Sequence, residues 1–174
     1  MTGRNAPRPR RAGKKAMALT QEQRTQVVER WGDMVYRLAL ARTASVPDAE
    51  DVFQEVFLRY FRHEERFQSD EYRKAWLLRC TINRCKSLLA SPWRKRVVPL
   101  ETAEEVGVED DYREVYGAVL SLPEKYRAVI HLHYFEGLSV AEMAAALNST
   151  EGTVKSQLSR GRALLRDMLK EVEL

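Results

Sequence analysis

The residues able to perform metal or nucleophilic chemistry are few. The chain has three histidines and two cysteines, at positions His63, His131, His133, Cys80 and Cys85. On a helix, His131 and His133 would point about 200° apart and the two cysteines about 140° apart, so we expect neither a shared metal ion nor a disulfide. The sequence also lacks a glycine-rich phosphate loop and a nucleophile motif. These features predict a protein that is not an enzyme and uses no cofactor or metal.

The placement of charge indicates binding chemistry instead. The net charge of +4 is the sum of segments with opposite charge. Residues 1–18 contain six bases and no acid, whereas residues 97–116 contain seven acids and one base. Residues 72–96 contain eight bases and no acid, interleaved with Tyr72, Trp76 and Trp93. Bases attract phosphates and aromatic rings stack on nucleobases, so this block is typical of a nucleic-acid surface, although Trp76 itself is expected in the core.

A second acid-free surface is predicted near the C-terminus. In a helix beginning near Glu151, an inner face would be formed by Val154, Leu158, Gly161 and Leu165. The opposite face is small, polar and basic, without a carboxylate between positions 152 and 166; it contains Gly152, Lys155, Ser156, Ser159, Arg160, Ala163 and Arg166. A helix face exposed only to solvent more often mixes both signs, so this pattern favours insertion into a major groove over simple solvation.

Helix-start signals define the elements that carry this face. Residues 121–124 and 139–142 each match a capping box, which predicts one helix through Tyr134 and a short one to Leu147. Asn148 tolerates a left-handed turn conformation, and Thr150 is suited to cap the next helix. Two short helices joined by three residues predict a helix-turn-helix.

The first half of the chain is also predicted to be helical. Apolar residues recur at spacings of three and four from Val27 to Ala41, and a helix start at residues 45–51 precedes a continuous apolar stripe. The other side of that second helix is polar and is either solvated or binds a partner. Its residues include Asp48, Asp51, Gln54 and Glu55. A third helix is expected from about Tyr72 to Leu89.

These patterns predict an all-α protein with two small helical domains. We place them at residues 19–96 and 113–174, joined by an acidic flexible linker at residues 97–112 and preceded by a disordered basic arm at residues 1–18. The arm is either a solvated tail or an extra attraction for a polyanion, and the linker is a candidate to lie over basic surfaces when nucleic acid is absent. No apolar run approaches the roughly 20 residues that span a bilayer, so we expect a cytoplasmic protein without membrane insertion.

Several motifs, taken in order, resemble those of the extracytoplasmic-function (ECF, group IV) sigma factors of bacterial RNA polymerase. Residues 48–57 (DAEDVFQEVF) and the segment from Phe67 to Lys86 resemble sigma region 2. Residues 122–127 (LPEKYR) and 138–156 resemble sigma region 4. The similarity covers roughly residues 28–170.

The resemblance implies a role for each surface. The protein would bind core RNA polymerase, direct it to promoters and initiate transcription, with the polymerase supplying the chemistry. Contacts with the clamp helices of the beta-prime subunit would involve Asp48, Asp51, Gln54 and Glu55, and the beta subunit is a further expected partner. The melted −10 element would be held by Phe67, Gln68, Ser69, Asp70, Arg79, Asn83, Arg84 and Lys86. The −35 duplex would be read by Thr150, Gly152, Thr153, Lys155, Ser156, Ser159, Arg160 and Arg162.

Two positions depart from the family pattern. Many members carry Arg where this chain has Gln157 and Ala where it has Gly161, so we expect no specific base contact at either position. Glycine also weakens a helix by roughly 1 kcal/mol relative to alanine. A further expected partner, an anti-sigma factor that covers the polymerase-binding surfaces, is implied by the resemblance alone.

Two other functions remain open on the sequence. A free-standing helix-turn-helix regulator would bind duplex operators as a dimer without polymerase, but it leaves the aromatic and basic block from Tyr72 to Arg96 unexplained. A protein-interaction module that mimics or captures a sigma factor belongs to a third class, and it would not bind promoter DNA together with polymerase.

Overall fold

Seven α-helices make up the described part of the chain. The structure, a computed structural model, describes residues 18–63, 67–92 and 110–172. The first half contains α1 (Gln21–Thr43), α2 (Val46–Arg62) and α3 (Asp70–Leu89). The second half contains α4 (Asp110–Ser121), α5 (Glu124–Tyr134), α6 (Val140–Leu147) and α7 (Glu151–Val172). No strand occurs within the three described ranges, and the predicted all-α class is confirmed.

Side-chain caps begin the three helices of the first half. The capping residues are Thr20, Ser45 and Ser69. Each hydroxyl accepts a hydrogen bond from the backbone N–H three residues later, at 3.2 to 3.3 Å. These bonds satisfy N–H groups that have no partner in the first turn of a helix. Because Ser69 caps α3, the helix begins at Asp70, two residues before the predicted Tyr72.

The second half confirms one predicted capping box and contradicts the other. At α6, the Ser139 hydroxyl accepts from the Glu142 N–H at 3.2 Å, and the Glu142 carboxylate accepts from the Ser139 N–H at 2.7 Å. The capping box predicted at residues 121–124 is wrong. Ser121 ends α4 and its hydroxyl donates to the Gly117 carbonyl at 3.0 Å, so it is already used by the preceding helix. Helix α5 starts after Pro123 without a side-chain cap.

Two clusters of buried apolar side chains hold the helices together, and each draws on both halves of the chain. One joins Leu38, Leu78 and Ile82 of α1 and α3 to side chains of α4 to α7. The other is built mainly from α1, α2 and α3 and includes Tyr116 and Leu120 of α4. The two halves therefore pack directly against each other.

Parts of the predicted arm and linker lie outside the described residues, namely residues 1–17 and 97–109. Residues 110–112, which the sequence placed at the end of the linker, already belong to α4. Both cysteines, Cys80 and Cys85, are free thiols. Among the described helices, none is both long enough and apolar enough to traverse a bilayer.

Candidate nucleic-acid and protein interfaces

The predicted protein-binding residues of α2 lie on one side of that helix. At about 100° per residue, Asp51, Gln54, Glu55 and Leu58 fall within about 100° of one another. Asp51 and Gln54 are exposed, and Leu58 is 51% exposed between them. Asp48 is half-buried at the capped start of the helix. An apolar side chain surrounded by polar ones is the pattern of a protein-binding patch, and Leu58 is a central residue that sequence reasoning missed.

Glu55 connects this α2 face to α3. Its carboxylate lies 2.8 Å from the Arg59 guanidinium and 2.5 Å from that of Arg84. Arg84 consequently points toward α2, about 140° around α3 from Arg79. The structure therefore does not bring Arg84 together with the other predicted −10 residues of α3, and its charge is offset by a residue predicted to bind polymerase.

Four residues form a straight exposed stripe on α3. Tyr72, Arg79, Asn83 and Lys86 lie within about 60° of one another around the helix. All four are exposed, and Tyr72 is 67% exposed. A stacking ring followed by cations and an amide is suited to a single nucleic-acid strand. Tyr72 was absent from the predicted contact set, although its spacing of seven from Arg79 was a usable signal.

The loop at residues 67–70, predicted to hold the melted −10 element, is fixed by internal contacts. Phe67 stacks on the ring of a tyrosine in α2, with centroids 5.3 Å apart, and packs against the buried cluster. Ser69 caps α3, and the Asp70 carboxylate pairs with Arg30 of α1. Gln68 is exposed between them. These contacts fix the loop against α1 and α2. They therefore also fix the position of the first turn of α3, where the stripe begins.

The outer face of α7 is open to solvent. All eight predicted −35 contact residues are exposed. Thr150 starts the helix by accepting a hydrogen bond from the Thr153 N–H at 3.2 Å. Val154 and Leu158 are buried on the inner face, as predicted. Asn148 has the predicted left-handed conformation, with a φ of 50°, and turns the chain between α6 and α7.

Tyrosines of α5 contact the arginines at the two edges of this face. The Arg162 guanidinium donates to the Tyr134 hydroxyl at 3.5 Å. On the opposite edge, a hydrogen bond from Arg160 lowers the pKa of Tyr126. The two arginines are separated by about 160° around the helix. The middle of the arc between them holds small residues, and its Arg162 side also holds Lys155 and Arg166. Cations at the edges and small residues in the middle suit a helix that enters a groove between two phosphate backbones.

The two departures from the family pattern have different surroundings. Gln157 is half-buried and lines a cleft between the two halves of the chain. Gly161 is buried, and a methyl group added there would lie 3.0 Å from Cγ1 of Ile130 in α5. Glycine therefore allows α7 to approach α5 closely, a packing role that the sequence did not reveal.

The histidines of the second half take part in packing contacts. His131 is buried and stacks on Phe135 with ring centroids 5.1 Å apart. Nδ1 of His133 lies 3.0 Å from the Leu138 carbonyl oxygen. Within the described ranges, no three metal-binding side chains come together.

Two protein families match this chain, one in its first half and one in its second half. The family described as Sigma-70 region 2 matches residues 27–95, which include the α2 face and the α3 stripe. The family described as Sigma-70, region 4 matches residues 112–165, which include the helix-turn-helix.

Similar curated proteins are ECF sigma factors. The chain is 35% identical over 156 residues to the ECF RNA polymerase sigma factor SigE of Mycolicibacterium smegmatis, which covers 83% of this chain and 60% of SigE. It is 33% identical over 150 residues to the ECF RNA polymerase sigma factor SigL of Mycobacterium tuberculosis, which covers 80% of this chain and 84% of SigL.

Two solved structures share the fold. One is the sigma factor RpoE in complex with the anti-sigma factor NepR from Bartonella quintana, with a TM-score of 0.66, 22% identity, and coverage of 84% of this chain and 96% of that one. Another is CnrH in complex with the cytosolic domain of CnrY, with a TM-score of 0.61, 26% identity, and coverage of 87% and 90%.

Proposed function

The chain belongs to the ECF RNA polymerase sigma factors of the sigma-70 family, transcription initiation factors that are not themselves enzymes, and we propose that it directs core polymerase to promoters through three surfaces. The α2 face binds the polymerase, the α3 stripe holds the melted −10 strand, and the outer face of α7 reads the −35 duplex. The α7 face carries the proposal, because it is exposed, lacks carboxylates from position 152 to 166, and is edged by Arg160 and Arg162.

The α3 stripe supports the second role by its geometry. A base separated from its pair loses stacking energy, and an aromatic ring restores about 1 to 3 kcal/mol per base. Tyr72 presents such a ring at the start of α3. Arg79 and Lys86 follow on the same side of the helix and attract the phosphates of the same strand. The stripe thus offsets part of the energetic cost of melting.

The α2 face is the proposed binding site for protein partners. We assign it to the clamp helices of the beta-prime subunit of polymerase, with the beta subunit as a second contact, and place the protein in the cytoplasm. The similar factors RpoE and CnrH were solved with NepR and with the cytosolic domain of CnrY, respectively. Because NepR is an anti-sigma factor, the first complex supports an anti-sigma factor as a further partner of this chain. The chemistry of RNA synthesis stays with the polymerase, and the proposal includes no cofactor.

The test is transcription by a reconstituted holoenzyme. The protein is mixed with core RNA polymerase and genomic DNA fragments, and the 5′ ends of the transcripts are sequenced. We expect start sites that share −10 and −35 elements and that core polymerase alone does not use. Arg160→Ala should lower transcription from them about fivefold or more, since loss of one arginine contact to DNA costs roughly 1 to 3 kcal/mol. Arg37→Ala, an exposed change on α1 outside the three surfaces, is the control.

Three outcomes would contradict the proposal. Failure to bind core polymerase at moderate salt would exclude a sigma factor. Tight binding to two-fold symmetric duplex sites without polymerase would favour a free-standing regulator. Binding to polymerase or to another sigma factor without any contact to promoter DNA would favour a protein-interaction module.

A further inference from the structure

A groove of about 610 Å³ lies between α1 and α2, beside the α2 face. Its apolar floor is formed by Val28, Gly32 and Tyr36 of α1 and by Phe53 of α2. A β-carbon on Gly32 would lie 3.4 Å from the Phe53 ring, so glycine allows this ring to lie close against α1. Tyr36 and Phe53 meet edge to face, with ring centroids 6.4 Å apart. Gln54 of the α2 face also lines the groove, so an occupant would cover one edge of that face.

Carboxylates line both edges of this groove. Its acidic rim consists of Glu29 and Asp33 on α1 and Glu50 on α2, all three exposed. Glu22 lies within about 40° of the two α1 carboxylates around the helix, and it extends this edge to the first turn of α1. Within the described ranges, none of these four carboxylates forms an ion pair. Their negative charge is therefore not neutralised by the described residues.

The arginines in the same stretch of α1 contact other groups. The Arg24 guanidinium lies over the Phe61 ring, 5.4 Å from its centroid. Arg30 pairs with Asp70 at the start of α3 and lies over the Trp31 ring. The groove therefore combines an aromatic floor with a negatively charged rim. This combination fits a basic segment that contains proline, because proline-rich segments bind aromatic-lined grooves and arginine pairs strongly with carboxylates.

The N-terminal segment of the same chain has this chemistry. Residues 1–18 contain six bases and no acid, and residues 6–11 have the sequence Ala-Pro-Arg-Pro-Arg-Arg. The three arginines of this segment match the three carboxylates of the acidic rim in number. Proline restricts the backbone before binding, so less conformational entropy is lost when the segment is held.

The position of the groove is within reach of this segment. The described chain begins at Ala18, and Leu19 packs against the buried cluster built mainly from α1 to α3, which fixes the point from which the preceding residues depart. Arg11 is seven positions before Ala18, a span of at most about 23 Å at about 3.3 Å per residue. Glu29 and Tyr36 lie about 12 and 23 Å along α1 from its start. The segment therefore reaches the groove when the chain runs back along α1.

The covalent connection makes weak contacts sufficient. An exposed ion pair contributes little by itself, and a free peptide of this kind would bind weakly. A segment joined to its site by a short stretch of chain has a local concentration in the millimolar range. A site with a dissociation constant of about 1 mM for the free peptide would therefore be largely occupied in the intact chain.

We propose that the groove between α1 and α2 is a binding site for residues 6–11 of the same chain. The prolines pack on the apolar floor, and the arginines pair with the acidic rim. The segment thus has a defined partner within the protein, in place of the solvated tail or the polyanion-binding arm that the sequence left open. This site does not depend on the proposed function of the three surfaces.

Zero-length cross-linking of the full-length protein tests this contact. A carbodiimide joins a lysine amine to a carboxylate only where the two groups touch, and mass spectrometry identifies the linked peptides. Lys15 lies between the segment and α1, so it should link to Glu29, the rim carboxylate nearest the start of the helix. Arg10→Lys keeps the charge and places a reactive amine on the segment itself. The amine at position 10 should link to Asp33 or Glu50.

Removal of rim charge provides a variant whose reacting groups are unchanged. Asp33→Asn combined with Glu50→Gln should lower the yield of the link between Lys15 and Glu29 about threefold or more, because the segment loses two of its three ionic partners. Salt at about 1 M should have a similar effect by screening. Glu114→Gln on α4 removes an exposed carboxylate away from the groove and should leave the yield unchanged. Circular dichroism checks that each variant keeps its helices.

Replacement of the prolines separates binding in the groove from simple charge attraction. Pro7→Ala combined with Pro9→Ala retains all six bases of residues 1–18. The yield of the links should still fall about threefold, because contact with the apolar floor and the restriction of the backbone are both lost. An unchanged yield would refute the packing of the prolines on the floor.

The distribution of the links decides among the other partners. Equal linking to exposed carboxylates elsewhere, such as Glu114 and Glu151, would refute the site and indicate a solvated tail. Links mainly to the acidic run at residues 101–111 would make that run the partner instead. An isotope-labelled copy is mixed in before cross-linking, and links that join the labelled and unlabelled forms would mean that a second copy supplies the segment. None of these measurements uses polymerase or DNA, so their failure leaves the proposed function standing, and a protein that fails to bind polymerase leaves this site standing.

Discussion

Tyr116 is a buried phenol whose hydroxyl has no hydrogen-bond partner among the described residues. Burial raises its pKa to about 12. The unfolded chain releases this proton near pH 10, so the unfolded state binds fewer protons than the folded state between pH 10 and 12. The free energy of unfolding must therefore fall as the pH rises through this window. At pH 11 the loss from this one group is about 1.4 kcal/mol.

Tyr116→Phe should remove that loss and keep the edge-to-face contact with Phe135 at 5.7 Å. Urea unfolding at pH 8 and pH 11 measures the difference, and the variant should lose about 1.4 kcal/mol less than the wild type between the two values. Tyr134→Phe changes an exposed tyrosine and should behave as the wild type. Equal losses in the wild type and Tyr116→Phe would show that the phenol does not remain protonated in the folded state.

Gly161 illustrates a conflict between helix propensity and packing. Alanine is favoured over glycine by about 1 kcal/mol inside a helix. At Gly161, however, the added methyl would lie 3.0 Å from Ile130, which is buried and cannot move freely. Overpacking costs about 1 to 3 kcal/mol, so Gly161→Ala should lower the free energy of unfolding by about 1 kcal/mol. Gly117→Ala in α4, where no atom lies within 4 Å of the added methyl, should raise it by a similar amount. Thermal or urea unfolding of both variants would decide, and stabilisation by Gly161→Ala would contradict the packing argument.

Single residues also show how far the sequence could define the candidate site. Residue type and helical spacing were sufficient to place Lys155 and Arg160 on an exposed face. They were not sufficient for Asp70 or Arg84, whose charges are paired with Arg30 and Glu55 on other helices. Pairing across elements depends on tertiary distance, which the order of residues along the chain does not encode locally.

At the scale of elements, the α3 stripe predicts that the affinity for single-stranded DNA depends on the aromatic ring of Tyr72. Replacement by alanine removes a stacking platform and should weaken binding of single-stranded DNA by about 1 to 3 kcal/mol. Tyr72→Phe keeps the ring and should retain most of the affinity. The measurement is fluorescence anisotropy with labelled single strands and with duplex of the same sequence. Equal losses for both forms of DNA, or equal losses in both variants, would argue against a stacking role.

Most helices could be predicted from the sequence, because the residues that favour a helix and begin it lie close together along the chain. Apolar spacing and the Ser139 capping box were sufficient for the helix-turn-helix. The error at Ser121 arose because α4 reaches that residue from the N-terminal side. A serine that already bonds one turn back cannot also cap the next helix, and the acidic sequence before it carries only a weak helical period.

At the scale of the whole molecule, the packing of one half on the other was not predictable. Periodicity marks Leu38 and Leu78 as buried but does not say which helix covers them. In the structure both belong to the cluster formed with α4 to α7. Likewise, nothing in the local sequence of Arg127 distinguishes a surface cation from one that binds the end of α1.

The shared clusters predict that the wild-type chain unfolds as one unit. All three tryptophans lie before residue 97, so their fluorescence reports the first half, whereas circular dichroism reports helices of both halves. Because both buried clusters contain side chains from both halves, neither half can unfold without exposing core of the other, and the two signals should show one coincident transition. The Arg42 guanidinium of α1 pairs with the Glu124 carboxylate of α5 at 2.6 Å. Arg42→Glu breaks this ion pair between the halves and should separate the two midpoints. Arg37→Glu should not. Separate transitions in the wild type would mean that the contact between the halves contributes little to stability.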